Sequence, residues 1–178
     1  MMLRVLSLFS VVMSLSACVS VNSSGYESLT AVQKDNVVKC TVPIGDLDND
    51  GKVYQITVAQ LKGFLSKQDS VIVYEYLPFC DSKNCVSPAL AEEVCANKGY
   101  AFCLVASTYD GLLGNHALRH PILVIDFTPY HTNNYKKYGR AFYDELTGKS
   151  FAERGVGRFH LFIKGTYQST HSNVYDFK

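Results

Sequence analysis

Six cysteines stand in this 178-residue chain, at positions 18, 40, 80, 85, 95 and 103. The pair with the most chemical promise is Cys80 and Cys85. A thiolate attacks a partner disulfide, and a second thiol within reach resolves the mixed disulfide. The β-favouring run Val71-Ile72-Val73-Tyr74-Glu75-Tyr76 leads into the first cysteine, and Ser87-Pro88 opens a helical stretch just past the second. Partial positive charge at a helix N-terminus favours a nearby thiolate, and Lys83, between the two cysteines, would act in the same direction. The same two residues also suit a structural staple. Four intervening residues close a disulfide only if they stay a loop, because residues five apart in a helix point to different sides. Cys95, late in the helical stretch, and Cys103, in the run after it, suit either a second bridge or buried thiols.

Other chemistry-bearing patterns are weaker. Asp46, Asp48 and Asp50 with Gly51 resemble the start of an EF-hand calcium loop, but the twelfth position, where a bidentate Glu belongs, is Thr57. The alternative is a polar turn in which Gly51 supplies a positive φ. His116 and His120 have the four-residue spacing of a helical metal pair, yet Pro121 ends any helix at once and no Cys or carboxylate stands at a ligand spacing. His131, His160 and His171 stand alone in the sequence. There is neither a Gly-rich phosphate loop nor a Gly-x-Ser-x-Gly elbow, so nucleotide binding and serine hydrolysis lack support. No cofactor and no metal is expected.

Composition narrows the field further. With 47% hydrophobic and 19% charged residues, the chain is able to bury one core. Lys plus Arg total 17 against 16 Asp plus Glu, with none of the basic excess of a nucleic-acid binder, so nucleic acid is not an expected partner. The N-terminus carries Arg4 and then the apolar run Val5 to Leu15, too short for a permanent transmembrane helix and suited to an export signal. It ends in Leu15-Ser16-Ala17-Cys18, which resembles the bacterial lipobox. That resemblance implies cleavage after Ala17 and lipid attachment at Cys18. The alternative is an ordinary signal peptide, cut after Ser16, with Cys18 an accidental neighbour. Removing residues 1–17 takes away Arg4 and no acid, leaving a neutral chain that acyl groups rather than a basic patch must hold to a membrane. The expected organisation is a signal peptide over 1–17, a small polar tether over 18–36 and one folded domain over 37–178. Oxidised cysteines belong outside the cytoplasm, and the expected location is the cell envelope, facing the periplasm.

The elements that must position Cys80 and Cys85 follow from pattern. Val53 to Ile56 predicts a short strand, and Thr57 and Gln60 have capping-box spacing for a helix whose buried face holds Val58, Leu61 and Leu65. Val71 to Tyr76 predicts a buried strand, Pro88 the first turn of a helix, and Tyr100 to Ser107 the next strand of a βαβ unit. Pro121 to Phe127 predicts another strand. Tyr135, Tyr138, Phe142 and Leu146 recur at helical spacing, with Asn133 or Asn134 as cap and Gly148 just past the end; this aromatic stripe predicts core. Phe159 to Ile163, Lys164-Gly165 and Thr166 to Ser169 predict a terminal hairpin.

This order, over roughly residues 53–170, resembles the thioredoxin fold: a strand delivers an aromatic and a cysteine to its C-terminal end, a second cysteine and a helix follow, Pro88 falls eight residues after Cys80, and a hairpin ends the domain. The resemblance implies a three-layer α/β fold around a central mixed sheet, with an insertion before the hairpin and no clear final helix. The sequence departs from the family in its chemistry. Cys80 and Cys85 are not Cys-x-x-Cys, Phe79 replaces the usual Trp, and Val156-Gly157-Arg158-Phe159-His160 lacks the proline that faces the active site. A degenerate, lipid-anchored scaffold with a binding or assembly role is therefore the expected function. The alternative is a thiol-disulfide oxidoreductase acting on exported proteins, with Cys80 as nucleophile and Cys85 as resolving thiol.

Overall fold

The computed structural model describes residues 22–80, 85–113 and 118–177. The lipobox with Cys18, Lys83 and His116 lie outside the described residues.

A seven-stranded mixed sheet forms the middle layer. In chain order its strands are β1 (Val37–Lys39), β2 (Val53–Ile56), β3 (Ser70–Tyr76), β4 (Ala101–Ala106), β5 (Ile122–Ile125), β6 (Phe159–Ile163) and β7 (Thr166–His171). Across the sheet they run β1-β2-β5-β4-β3-β6-β7. The first five in that spatial order are mutually parallel, whereas β6 and β7 are antiparallel to their neighbours. Among the described residues, the helices α1 (Ala31–Asp35), α2 (Val58–Leu65), α3 (Pro88–Asn97), α4 (Tyr135–Thr147) and α5 (Phe151–Arg154) accompany the sheet together with short 3₁₀ turns. The architecture is α/β and compatible with a thioredoxin-like arrangement.

Strand alternation splits the core into two layers. Val71 and Val73 of β3, Cys103 and Val105 of β4, and Leu123 and Ile125 of β5 face α2 and α4. Ile72, Tyr74, Phe102, Leu104, Ile122 and Val124 face the other way, toward Ala91, Val94 and Cys95 of α3. The parallel strands are covered on both faces, which is why they read as near-continuous apolar runs. The expected βαβ unit is present: β3 and β4 pair in parallel from Val71 opposite Ala101 to Tyr76 opposite Ala106, with α3 between them in the chain.

Local signals act as their chemistry requires. The Thr57 hydroxyl accepts from the Gln60 amide and the Gln60 side chain reaches back to Thr57, so α2 starts at Val58, and Leu61 and Leu65 turn inward as expected. Asn134 caps α4 by accepting from the amides of Lys136 and Lys137, and Gly148 ends it in the left-handed region at φ 67°. The aromatic stripe of α4 is core: Tyr138 and Phe142 are fully buried. The loop carrying Asp46, Asp48 and Asp50 is a turn in which Gly51 sits at φ 82°. Asp50 accepts from Lys52 Nζ at 2.6 Å and from the Tyr54 hydroxyl at 3.0 Å, and these bonds hold its carboxyl down to about 2.

Packing begins by Asn22, ahead of the expected domain start near residue 37. The Ser24 carbonyl accepts from the Tyr109 amide at 2.8 Å and the Thr108 hydroxyl at 2.7 Å, and the Asn22 carbonyl accepts from the Tyr135 amide at 2.9 Å. These small polar residues read as tether by composition. Their order comes from loops distant in sequence, which composition does not register.

Candidate functional site

Cys80 and Cys85 are joined as a disulfide with Cα atoms 6.0 Å apart, inside the range that the bond allows. The turn that carries Cys80 closes through its amide on the Leu77 carbonyl at 3.0 Å. Phe79, just before it, sets its ring edge-on against Tyr135 at the start of α4, with centroids 5.6 Å apart. Cys85 is positioned from β3. The Tyr74 hydroxyl, held protonated by burial that pushes its pKa up to about 12, donates to the Val86 carbonyl at 2.8 Å. The helix then starts at Pro88 with Ser87 as its cap. The Arg158 guanidinium donates to Cys85 Sγ at 3.7 Å. A guanidinium therefore stands at the second cysteine, whereas the sequence pattern pointed to the first.

Among the described residues, three further cysteines remain thiols. Cys40, Cys95 and Cys103 are buried and unbridged, so the second disulfide left open between Cys95 and Cys103 does not form. Burial pushes the Cys95 and Cys103 thiols up to about 12, which leaves them inert near neutral pH.

Beside Cys85 opens a cleft of about 840 Å³, the size of a small-molecule site. It lies at the C-terminal ends of β3 and β4, the edge of a parallel sheet where ligands commonly bind. Its floor includes Glu75, Leu77 and Ser107; Gly139 and Arg140 of α4, Arg154 of α5, and Arg158 ahead of β6 wall it. Lys136 stands at its rim on the first turn of α4. The Ser107 backbone is fully committed: its amide donates to the Tyr76 carbonyl at 3.1 Å, and its carbonyl accepts from the Tyr138 hydroxyl. Its hydroxyl, by contrast, is buried without a hydrogen-bond partner. Arg154, 6% exposed, donates from Nη2 to Asp144 at 2.8 Å and lays its guanidinium toward the rings of Tyr143 and Phe151, while its Nε lacks a partner.

Two of the histidines that stand alone in the sequence, His160 and His171, have partners in the fold, and so has His120 of the spaced pair. His160, fully buried, shares a hydrogen bond with Thr170 Oγ1 through Nδ1 at 2.8 Å, and its Nε2 lies 3.5 Å from a carboxylate oxygen of Glu75 in the cleft floor. Desolvation lowers its pKa below the ordinary 6.5, more than the facing Glu75 raises it. His120 pairs through Nδ1 with the buried Glu92, which also accepts from the Arg119 amide at 3.1 Å. His171 meets Ser169 Oγ at 3.0 Å. The contacts of His160 and His120 had no sequence signal, because each joins separate segments of the chain; Ser169 and His171 are two apart on β7 and share one face of it. Among the described residues, no group of three or more His, Cys, Asp or Glu could hold a metal ion, and no helix is long and apolar enough to cross a membrane.

Compared with known proteins, the chain matches no family model, no curated protein and no solved structure.

Proposed function

We propose that this protein is a lipid-anchored lipoprotein of the bacterial cell envelope whose thioredoxin-like domain binds a ligand or partner, with Cys80 and Cys85 serving as a staple for the loop beside the binding cleft. The observation that carries this reading is the cleft itself. Cys85, one half of the disulfide, lines it without being its only chemical feature. Fixing the loop after β3 fixes Val86 and the start of α3 with it, which is what a preformed site requires. Attachment through Cys18 would supply membrane residence, and exported proteins or envelope components are the partners within reach.

The second reading, a thiol-disulfide oxidoreductase for exported proteins, has one specific observation in its favour. A guanidinium 3.7 Å from Cys85 Sγ would favour that thiolate once the bond is reduced. On that reading Cys85, rather than Cys80, is the better nucleophile, and Cys80 the resolving thiol.

Serine substitution separates the two. A staple predicts that Cys80→Ser and Cys85→Ser each lower stability by about 2 kcal/mol, the value of a short closed loop, and that neither variant accumulates mixed disulfides with envelope proteins on non-reducing gels. Trapped partners on the Cys80→Ser variant, with its Cys85 free, would establish the oxidoreductase instead.

A further inference from the structure

The described residues contain three buried side-chain polar atoms without a hydrogen-bond partner: Ser107 Oγ, Arg154 Nε and His160 Nε2. Ser107 and Arg154 line the cleft beside Cys85, and His160 faces Glu75, which lines it too. Native proteins leave few such groups; His160 Nε2 has Glu75 opposite it, but the two on Ser107 and Arg154 belong to residues of one cleft, which points to a ligand there.

Charge specifies the ligand class. Lys136, Arg140 and Arg158 line the cleft and make no ion pair among the described residues; Arg154 is offset by Asp144. One carboxylate, Glu75, opposes these three free cations, in a chain whose overall charge is close to zero. The positive excess therefore matches a dianion better than a monoanion. Guanidinium forks, an ammonium and a hydroxyl are the donors that phosphate oxygens accept from. Leu77, Val86, Phe151 and Val156 supply apolar wall for a body attached to that head. Gly139 is the neighbour of the buried Ser107 hydroxyl on α4: a Cβ added there would lie 3.6 Å from Ser107 Oγ, in ordinary contact.

We propose that this cleft is a binding site for a phosphate monoester carried on an apolar body, with Ser107 donating to the phosphate at the floor and Arg140 and Arg158 pairing with it. The chemistry has two sources, a phosphate-headed lipid or a soluble phosphate compound. The inference rests on the binding reading and names its ligand class.

The test is calorimetric titration of the full-length protein, in neutral detergent, with dihexanoyl phosphatidic acid, inorganic phosphate and dihexanoyl phosphatidylcholine. Phosphatidic acid should bind, inorganic phosphate should compete with it, and phosphatidylcholine should not. A lipid that binds at least tenfold tighter than inorganic phosphate identifies the lipid source, and equal affinities identify the soluble one. Ser107→Ala and Gly139→Ala should each weaken phosphatidic acid about tenfold. Gly139→Ala is the safer variant, because alanine is favoured over glycine inside a helix, so its melting temperature should hold or rise while affinity falls. No binding of either phosphate probe, or binding unchanged in both variants, overturns the proposal. The binding reading fails separately, by disulfide-trapped partners, and the phosphate result stands whichever way that experiment falls.

Discussion

His160 shows how a single residue's environment becomes a measurable property. It is enclosed by Glu75 from β3, Tyr143 from α4, Arg154 from α5 and Thr170 from β7, and burial outweighs the carboxylate that would favour its charged form. With the folded pKa below 6.5, the unfolded chain takes the proton first as pH falls, so stability is complete above about pH 6.5 and declines below it. Denaturant titrations between pH 8 and 5 should show that loss in the wild type and a shallower one in His160→Gln; equal slopes would mean that His160 does not titrate differently on folding. Residue chemistry was the part least legible in the sequence. Cys80 and Cys85 announced themselves by their place between a strand and a helix, whereas the partnership of His160 with Glu75 depends on β6 lying antiparallel to β3, and that of Glu92 with His120 on a contact between separate segments. The cationic wall was equally hidden: Lys136 and Arg140 come from α4, Arg154 from α5 and Arg158 from the approach to β6, and no run of charge in the chain joins them.

Elements were more legible where a short-range signal sets them. The capping box at Thr57, the Asn134 cap and Gly148 bound their helices because those contacts span only a few residues. Replacing Asn134 with Ala removes the acceptor for two amides at the start of α4 and should cost about 1 kcal/mol, with faster amide exchange confined to the first helical turn, where Tyr135 and Lys136 flank the cleft. An unchanged melting curve and exchange rate would show that the cap contributes nothing. Gly157 has a different requirement, close approach rather than conformation. A Cβ there would meet the His171 carbonyl at 2.6 Å, where the Arg158 amide already bonds. Gly157→Ala should therefore destabilise by about 1–3 kcal/mol and displace Arg158; a variant as stable as wild type would contradict the packing of this segment. Sequence pattern missed β1, α1 and α5, which are three to five residues long and held by tertiary contact. For α5 a signal was present: Ser150 and Glu153 form a capping box.

At the scale of the molecule, strand types were readable but their order was not. The placement of β5 between β2 and β4 depends on pairing across the insertion, which apolar runs alone do not specify. The proposed anchor makes its own prediction. Acyl chains at Cys18 would hold the protein stably in the membrane fraction, so Cys18→Ser should appear in the soluble fraction or remain unprocessed; a processed variant that stays membrane-bound would refute lipid attachment at that residue. The central claim, that the domain binds and its disulfide is structural, meets its most direct test in the reduction potential of the Cys80–Cys85 pair. Equilibrating the purified protein against dithiothreitol redox buffers and scoring free thiols by alkylation gives that value. A staple predicts a potential below about −300 mV, resistant to the glutathione pool, whereas a value between about −120 and −270 mV would place the pair among thiol-disulfide oxidoreductases and contradict the account.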